Sequence, residues 1–141
     1  MDWGSQLGDL NWWAVIGATV STFVVGGAWY AMGAFGKKWA KLVGLSEKEF
    51  QSSDGMTEVF VMTGVTSFVT ASVMGALMMA TGTTGLVDGL LFGAIAGVAF
   101  RFGSHVMHNG FARRSKDLTW IDGMHDIVAL AVIGAILGQW L

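Results

Sequence analysis

An all-α polytopic membrane protein is the fold class this chain predicts: a bundle of four transmembrane helices, running up and down, with both termini outside. Three observations carry that expectation. Of 141 residues, 53% are hydrophobic and only 13% charged, against about 25% charged in an ordinary soluble domain, and the mean hydropathy is +0.58. Apolar runs recur at lengths that cross a hydrocarbon core of about 30 Å. Every Lys and Arg falls in one of two clusters, Lys37, Lys38, Lys41 and Lys48 in the first and Arg101, Arg113, Arg114 and Lys116 in the second. Basic residues gather on the cytoplasmic side of a membrane, so both clusters are placed there.

The first span is predicted over 12–35, since no charged residue occurs between Asp9 and Lys37. Trp12 and Trp13 stand at one end and Trp29, Tyr30 and Trp39 near the other, as interfacial aromatic belts do. A polar connection over 36–57 follows, with a short interfacial helix at 45–51, where Ser46 and Glu49 have capping-box spacing. The second span is predicted over 58–80 and the third over 86–108, joined by the tight turn Thr81-Gly82-Thr83-Thr84-Gly85. A second basic connection over 109–118 leads to the fourth span, 119–141, with Thr119 and Asp122 as its capping pair. All 141 residues then form one membrane domain.

Glycine is abundant, at 21, and proline absent. Gly89, Gly93 and Gly97 repeat as GxxxG steps on the third span and Gly134 and Gly138 on the fourth, spacing that lets helix backbones approach closely within the chain or between subunits. The absence of cysteine excludes disulfides, thiolate ligands and cysteine nucleophiles. The net charge of −2 gives no reason to expect nucleic acid as a partner. The expected partners are the lipid bilayer and either further copies of the chain, as a homo-oligomer, or a larger membrane complex.

The ionisable residues inside the spans carry the functional signal, because such groups face the bundle and pair. Counting 1.5 Å per residue from the predicted helix ends places Arg101 and Asp126 at the same depth, about 10 Å inside. The same count pairs His105 with Asp122 or His125. A polar pocket open to the cytoplasm is therefore expected between the second, third and fourth spans, lined by Arg101, His105, Asp122, His125 and Asp126, with Thr66 from the second span and Tyr30 from the first. Three uses of it compete. One is a register-fixing ion pair. Another is a ligand, proton or ion site. The last is a metal site, in which His105, His108, Asp122 and His125, two pairs each three residues apart, would suit zinc or iron. A bound metal ion is thus one candidate cofactor, and haem ligated by one of these histidines another.

The first span also carries a resemblance. Asn11-Trp12, then Gly26-Gly27-Ala28-Trp29-Tyr30, then Phe35-Gly36-Lys37 with Trp39 and Gly44 resemble the bacterial membrane-protein family catalogued as domain of unknown function 1761. Asp122 and His125 on the fourth span resemble its later pattern. That family usually has Ser-Pro after the Trp-Tyr pair. This chain has Ala31-Met32 there, so its helix is expected to run straight where relatives bend. The resemblance implies a multi-pass protein of the bacterial inner membrane and no particular activity. With no G-x-S-x-G, Walker loop or H-E-x-x-H in the sequence, a non-enzymatic role is expected. The leading expectation is a homo-oligomeric transporter or channel-like protein that binds an ion or small ligand in the pocket. The alternatives are an accessory subunit of a larger complex and a metal- or haem-binding membrane enzyme.

Overall fold

The computed structural model describes residues 2–141 and is all helical. Four helices are long and apolar enough to cross a membrane, spanning Trp12–Trp29, Thr57–Thr81, Leu86–Phe111 and Lys116–Trp140. In chain order the elements are α1 (Trp3–Gly8), α2 (Trp12–Trp29), α3 (Gly36–Val43), α4 (Glu47–Gln51), α5 (Thr57–Thr81), α6 (Leu86–Ala96), a π-helical segment (Gly97–Phe102), α7 (Gly103–Phe111) and α8 (Lys116–Trp140). The third spanning helix is thus α6, the π segment and α7 in continuous succession.

Helix α2 stops at Trp29, six residues short of the predicted end, and the chain bends there without proline. The amide of Phe35 donates to the Trp29 carbonyl and that of Gly36 to the Ala31 carbonyl, which folds residues 30–35 into a tight turn. Gly36 lies against the Tyr30 carbonyl so closely that any Cβ would collide with it. The bend then launches α3, which the sequence reading left inside a polar connection. Its Lys37, Lys38 and Lys41 are exposed while Gly36 and Ala40 are buried. Ser46 and Glu49 form the expected capping box on α4, the Ser46 amide donating to Glu49 Oε2 at 2.8 Å and the Glu49 amide to Ser46 Oγ at 3.2 Å. Helix α8 begins earlier than predicted, capped by Ser115 rather than Thr119. The amide of Asp117 donates to Ser115 Oγ at 3.1 Å.

Two regimes of packing divide the bundle along its length. Near the Thr81–Gly85 turn, Leu10, Ala14, Val15, Ala18, Ala71, Met74, Met78, Leu130, Ile133 and Leu137 form one buried cluster from α2, α5, α8 and the residues before α2. Along the seam between α6 and α8, glycine replaces side-chain interdigitation. A Cβ on Gly89 would strike the Gly134 carbonyl, and one on Gly93 the Leu130 carbonyl. One on Gly97 would lie 2.7 Å from Ile127 Cα. The glycine spacing is therefore used inside the chain, where contact between backbones supplies the dispersion energy that water cannot drive in lipid. Toward the basic connections the packing opens. The first ten residues of α5 bury no side chain, and its buried positions begin at Ser67.

Two outcomes check this account. Gly93→Ala is expected to lower stability by about 1–3 kcal/mol, as overpacking does, while Gly27→Ala, whose Cβ would meet nothing within 4 Å, should leave it unchanged or raised; thermal unfolding in detergent distinguishes them. The hydrogen bonds from Ser46 hold the Glu49 carboxyl below its ordinary pKa of 4.5. The cap is therefore at full strength above that value and is lost as the pH falls through the lower folded value. Hydrogen exchange at the Ser46 amide should quicken over that acid window in the wild type and show no such pH step in Glu49→Gln.

Candidate functional site

Partly buried ionisable groups gather on one turn and a half of α8, from Ile121 to Asp126. Asp126 lies at the centre. Arg101, from the π segment, donates through Nε to Asp126 Oδ2 at 3.0 Å, and His105 Nε2 lies 3.0 Å from the same oxygen. His125 Nδ1 lies 3.0 Å from Asp126 Oδ1. The carboxylate is 12% exposed and the arginine side chain 60%, so the anion is the enclosed member of the pair. A carboxylate held by a guanidinium only accepts, so both imidazoles donate to it. One carboxylate thereby ties α7, the π segment and α8 together.

Arg101 and Asp126 do lie level, but His105 reaches Asp126 rather than Asp122 or His125. Side-chain tilt is the reason. Side chains lean toward the N-terminus of their own helix. In this antiparallel pair His105 leans inward along α7 while Asp126 leans outward along α8, and the two close a gap of one turn between their backbones. The π turn, one of the devices proteins place at functional sites, contains Arg101 itself.

Asp122 faces another way. Its Oδ1 accepts from the Tyr30 hydroxyl at 2.7 Å and from Trp39 Nε1 at 2.8 Å. Trp29 Nε1 donates to the Ile121 carbonyl at 3.1 Å. The bend after α2 is thus fastened on both sides, by Trp29 and Tyr30 before it and Trp39 after it. The Tyr30 and His125 rings lie 5.0 Å apart, so this aromatic cluster continues into the Asp126 network.

The cavity is not where the sequence placed it. A chamber of about 610 Å³ lies between α2, the connection that carries α3 and α4, and the open end of α5. Phe23, Tyr30, Trp39, Phe50 and Phe60 give it an aromatic lining, and Thr22, Gly26, Gly27, Thr63 and His125 also face it. His125 is the residue α8 contributes, and the third spanning helix contributes none of the lining residues. The expectation of a polar pocket between the second, third and fourth spans is therefore corrected. Arg101, His105 and Asp126 form a network behind the chamber wall, and His125 is the member they share with it. Thr66 does not line the chamber, since it is exposed and its hydroxyl bonds the Met62 carbonyl of its own helix at 2.8 Å. His105, His108, Asp122 and His125 do not come together as one ligand set. His108 is exposed on α7, and Asp122 is turned to Tyr30 and Trp39. Among the described residues, no group of three or more His, Asp and Glu side chains is placed to hold a metal ion.

Sequence reasoning missed Trp39, Thr22, Gly26 and Phe50. The alternation of lysines with Trp39, Ala40, Leu42 and Val43 was the available signal for α3. Of the residues that line the chamber, His125 and Thr22 each have a buried polar atom, Nε2 and Oγ1, without a hydrogen-bond partner. An orphaned polar atom in an apolar setting costs about 1–3 kcal/mol, and these two lie at the same cavity.

The Asp126 network predicts strong coupling between its members. Arg101→Ala and Asp126→Ala are each expected to destabilise the bundle more than the double substitution does, because each single change leaves one charge unpaired. A double-mutant cycle on unfolding in detergent should return a coupling of about 1 kcal/mol or more; additive effects would show the pair to be energetically idle.

No curated protein and no solved structure matches this chain. The sequence profile of one family, described as a protein of unknown function and catalogued as DUF1761, matches residues 13–138. With its four candidate membrane helices, the chain belongs to the DUF1761 family.

Proposed function

We propose that this protein binds a small amphiphilic ligand in the chamber between α2, α4 and α5, with the polar end of the ligand at His125. One observation carries the reading: a 610 Å³ cavity walled mainly by aromatic and aliphatic side chains has a buried imidazole nitrogen without a partner at its edge. Apolar pockets with a few convergent polar groups are the usual form of a small-molecule site. A hydrated ion fits this lining less well than a molecule with an apolar body.

A transport version of the reading has its own support. A second cavity, of about 340 Å³, lies at the opposite end of α2 and is lined by Asn11, Trp13, Ala14, Gly17, Ile136 and Trp140. Both cavities lie along α2 and α8, and Gly17 and Thr22, their nearest lining residues on α2, are about 7.5 Å apart by helix rise. The two cavities flank α2 on different faces, one toward each end of the bundle, an arrangement that a carrier opening alternately can use. Four helices enclose little space, so this version takes the chain to act as a homo-oligomer in the bacterial inner membrane. Both basic connections then face the cytoplasm and both termini the outside.

Filling the chamber tests the binding. A leucine at Gly27, which lines the cavity and has no atom within 4 Å of its Cβ position, should occupy it without disturbing the bundle. Small molecules extracted from protein purified in mild detergent and identified by mass spectrometry should include one at near-stoichiometric yield from the wild type and absent from Gly27→Leu. Equal recovery from both would overturn the reading. The natural lack of cysteine makes orientation equally accessible. In intact cells a membrane-impermeant maleimide should label Thr84→Cys and leave Ser53→Cys unlabelled; the reverse pattern inverts the topology.

A further inference from the structure

The hydrogen bonds behind the chamber fix the chemistry in front of it. Asp126 accepts from Arg101 and His105 at Oδ2 and from His125 Nδ1 at Oδ1. The proton of a neutral His125 is therefore on Nδ1, and Nε2 carries the lone pair. That Nε2 is buried, has no partner, and lies beside Gly26, whose Cβ, if present, would be 3.6 Å from it. Gly26 and His125 both line the chamber. Gly26 is the residue that lies over the nitrogen, which has almost no exposed surface, so an occupant reaches it by a small turn of the ring or shift of α2 that a side chain at Gly26 would obstruct; Thr22, one turn earlier on the same helix face, adds a second unpartnered oxygen.

We infer that the occupant is a neutral amphiphile that presents a hydroxyl group as hydrogen-bond donor to His125 Nε2, with an aromatic or aliphatic body against Phe23, Trp39, Phe50 and Phe60. This rests on the chamber reading above and names its ligand class. An acceptor nitrogen calls for a donor. The charged side chain among the lining residues is Glu49, and no Lys or Arg is among them, so a carboxylate or phosphate head would meet a like charge and no cation. Glu49 is itself turned to Ser46, whose hydroxyl lies 2.6 Å from Oε2, which spends its acceptor at the cap. A hydroxyl needs no countercharge, and its desolvation is offset by the one bond that Nε2 offers.

Paired probes of nearly equal apolar body test this in the full-length protein in nonionic detergent, by titration calorimetry. Para-hexylphenol carries the donor; its methyl ether lacks it. The wild type is expected to bind the phenol about tenfold more tightly than the ether, the value of one buried hydrogen bond. Gly26→Ala, which adds a methyl group 3.6 Å from Nε2, and His125→Phe should each erase that preference, so that phenol and ether bind alike. Equal binding of the two probes by the wild type would overturn the inference and leave the chamber standing. So would tighter binding of para-hexylbenzylamine, which brings an ammonium group, than of the phenol. Binding of neither probe above the level seen with Gly27→Leu would overturn the chamber reading itself. Persistence of the phenol's preference in both Gly26→Ala and His125→Phe would place the donor elsewhere and overturn the assignment to Nε2.

Discussion

Hydrocarbon gives a carboxylate no water to bond, and the arrangement of the helices at the basic end follows from satisfying Asp126 without it. A charge near the middle of a bilayer is expensive unless it meets an opposite charge and enough donors to use its lone pairs. Asp126 meets three, from Arg101, His105 and His125. For Arg101 and His105 to reach it, the third spanning helix must lie close against α8, and the glycines at 89, 93 and 97 bring the backbones together on the approach to that level. The π segment begins at the last of those glycines and contains Arg101. Close packing on one side of Gly97 and ionic pairing on the other are thus consecutive parts of one seam.

The same seam explains why the chamber lies elsewhere. Backbone contact leaves no volume between α6 and α8, and the buried cluster fills the bundle near the Thr81–Gly85 turn. Space remains where α5 makes few contacts, beside α2 and under the segment that carries α3 and α4. That segment is positioned by Asp122 through Trp39 and by the bend at Gly36. Its ion pairs, Lys37 with Glu47 at 3.0 Å and Lys38 with Asp117 at 2.8 Å, are exposed and contribute little. The cover over the chamber is therefore held by the Asp122 carboxylate and by the packing of Gly36 and Ala40, with its ion pairs adding little.

Hydropathy and the basic clusters were enough to read four spanning helices, because lipid imposes length and polarity on every one of them. Helix-rise arithmetic placed Arg101 level with Asp126, since depth depends only on counting. It gave His105 the wrong partner because counting Cα atoms ignores the lean of side chains. The straight first span failed at Tyr30. Proline was the expected marker of a bend, whereas the bend is made by Gly36 against a carbonyl and by two indole donors and one phenol donor whose acceptors, on Ile121 and Asp122, are far away in sequence. The site of the cavity could not be read at all. It depends on α5 diverging from its neighbours, and the apolar surface of α5 has the same composition whether it faces lipid, a ligand or another helix.

Asp122 and Asp126, one turn apart on α8, divide the work of the site. Asp122 takes its donors from the first span and the connection after it, Asp126 from the third span, and His125 lies between them in sequence with one nitrogen on Asp126 and its ring 5.0 Å from Tyr30. An occupant of the chamber that bonded His125 Nε2 would pull on a ring whose other nitrogen is fixed to the Asp126 carboxylate, and would press on Tyr30, which is fixed to Asp122. Both displacements load α8, which touches all three other spanning helices. Such an occupant would be joined to Arg101 through His125 and Asp126 by hydrogen bonds and no loop, the kind of short, discrete connection through which a ligand can bias the position of a whole helix.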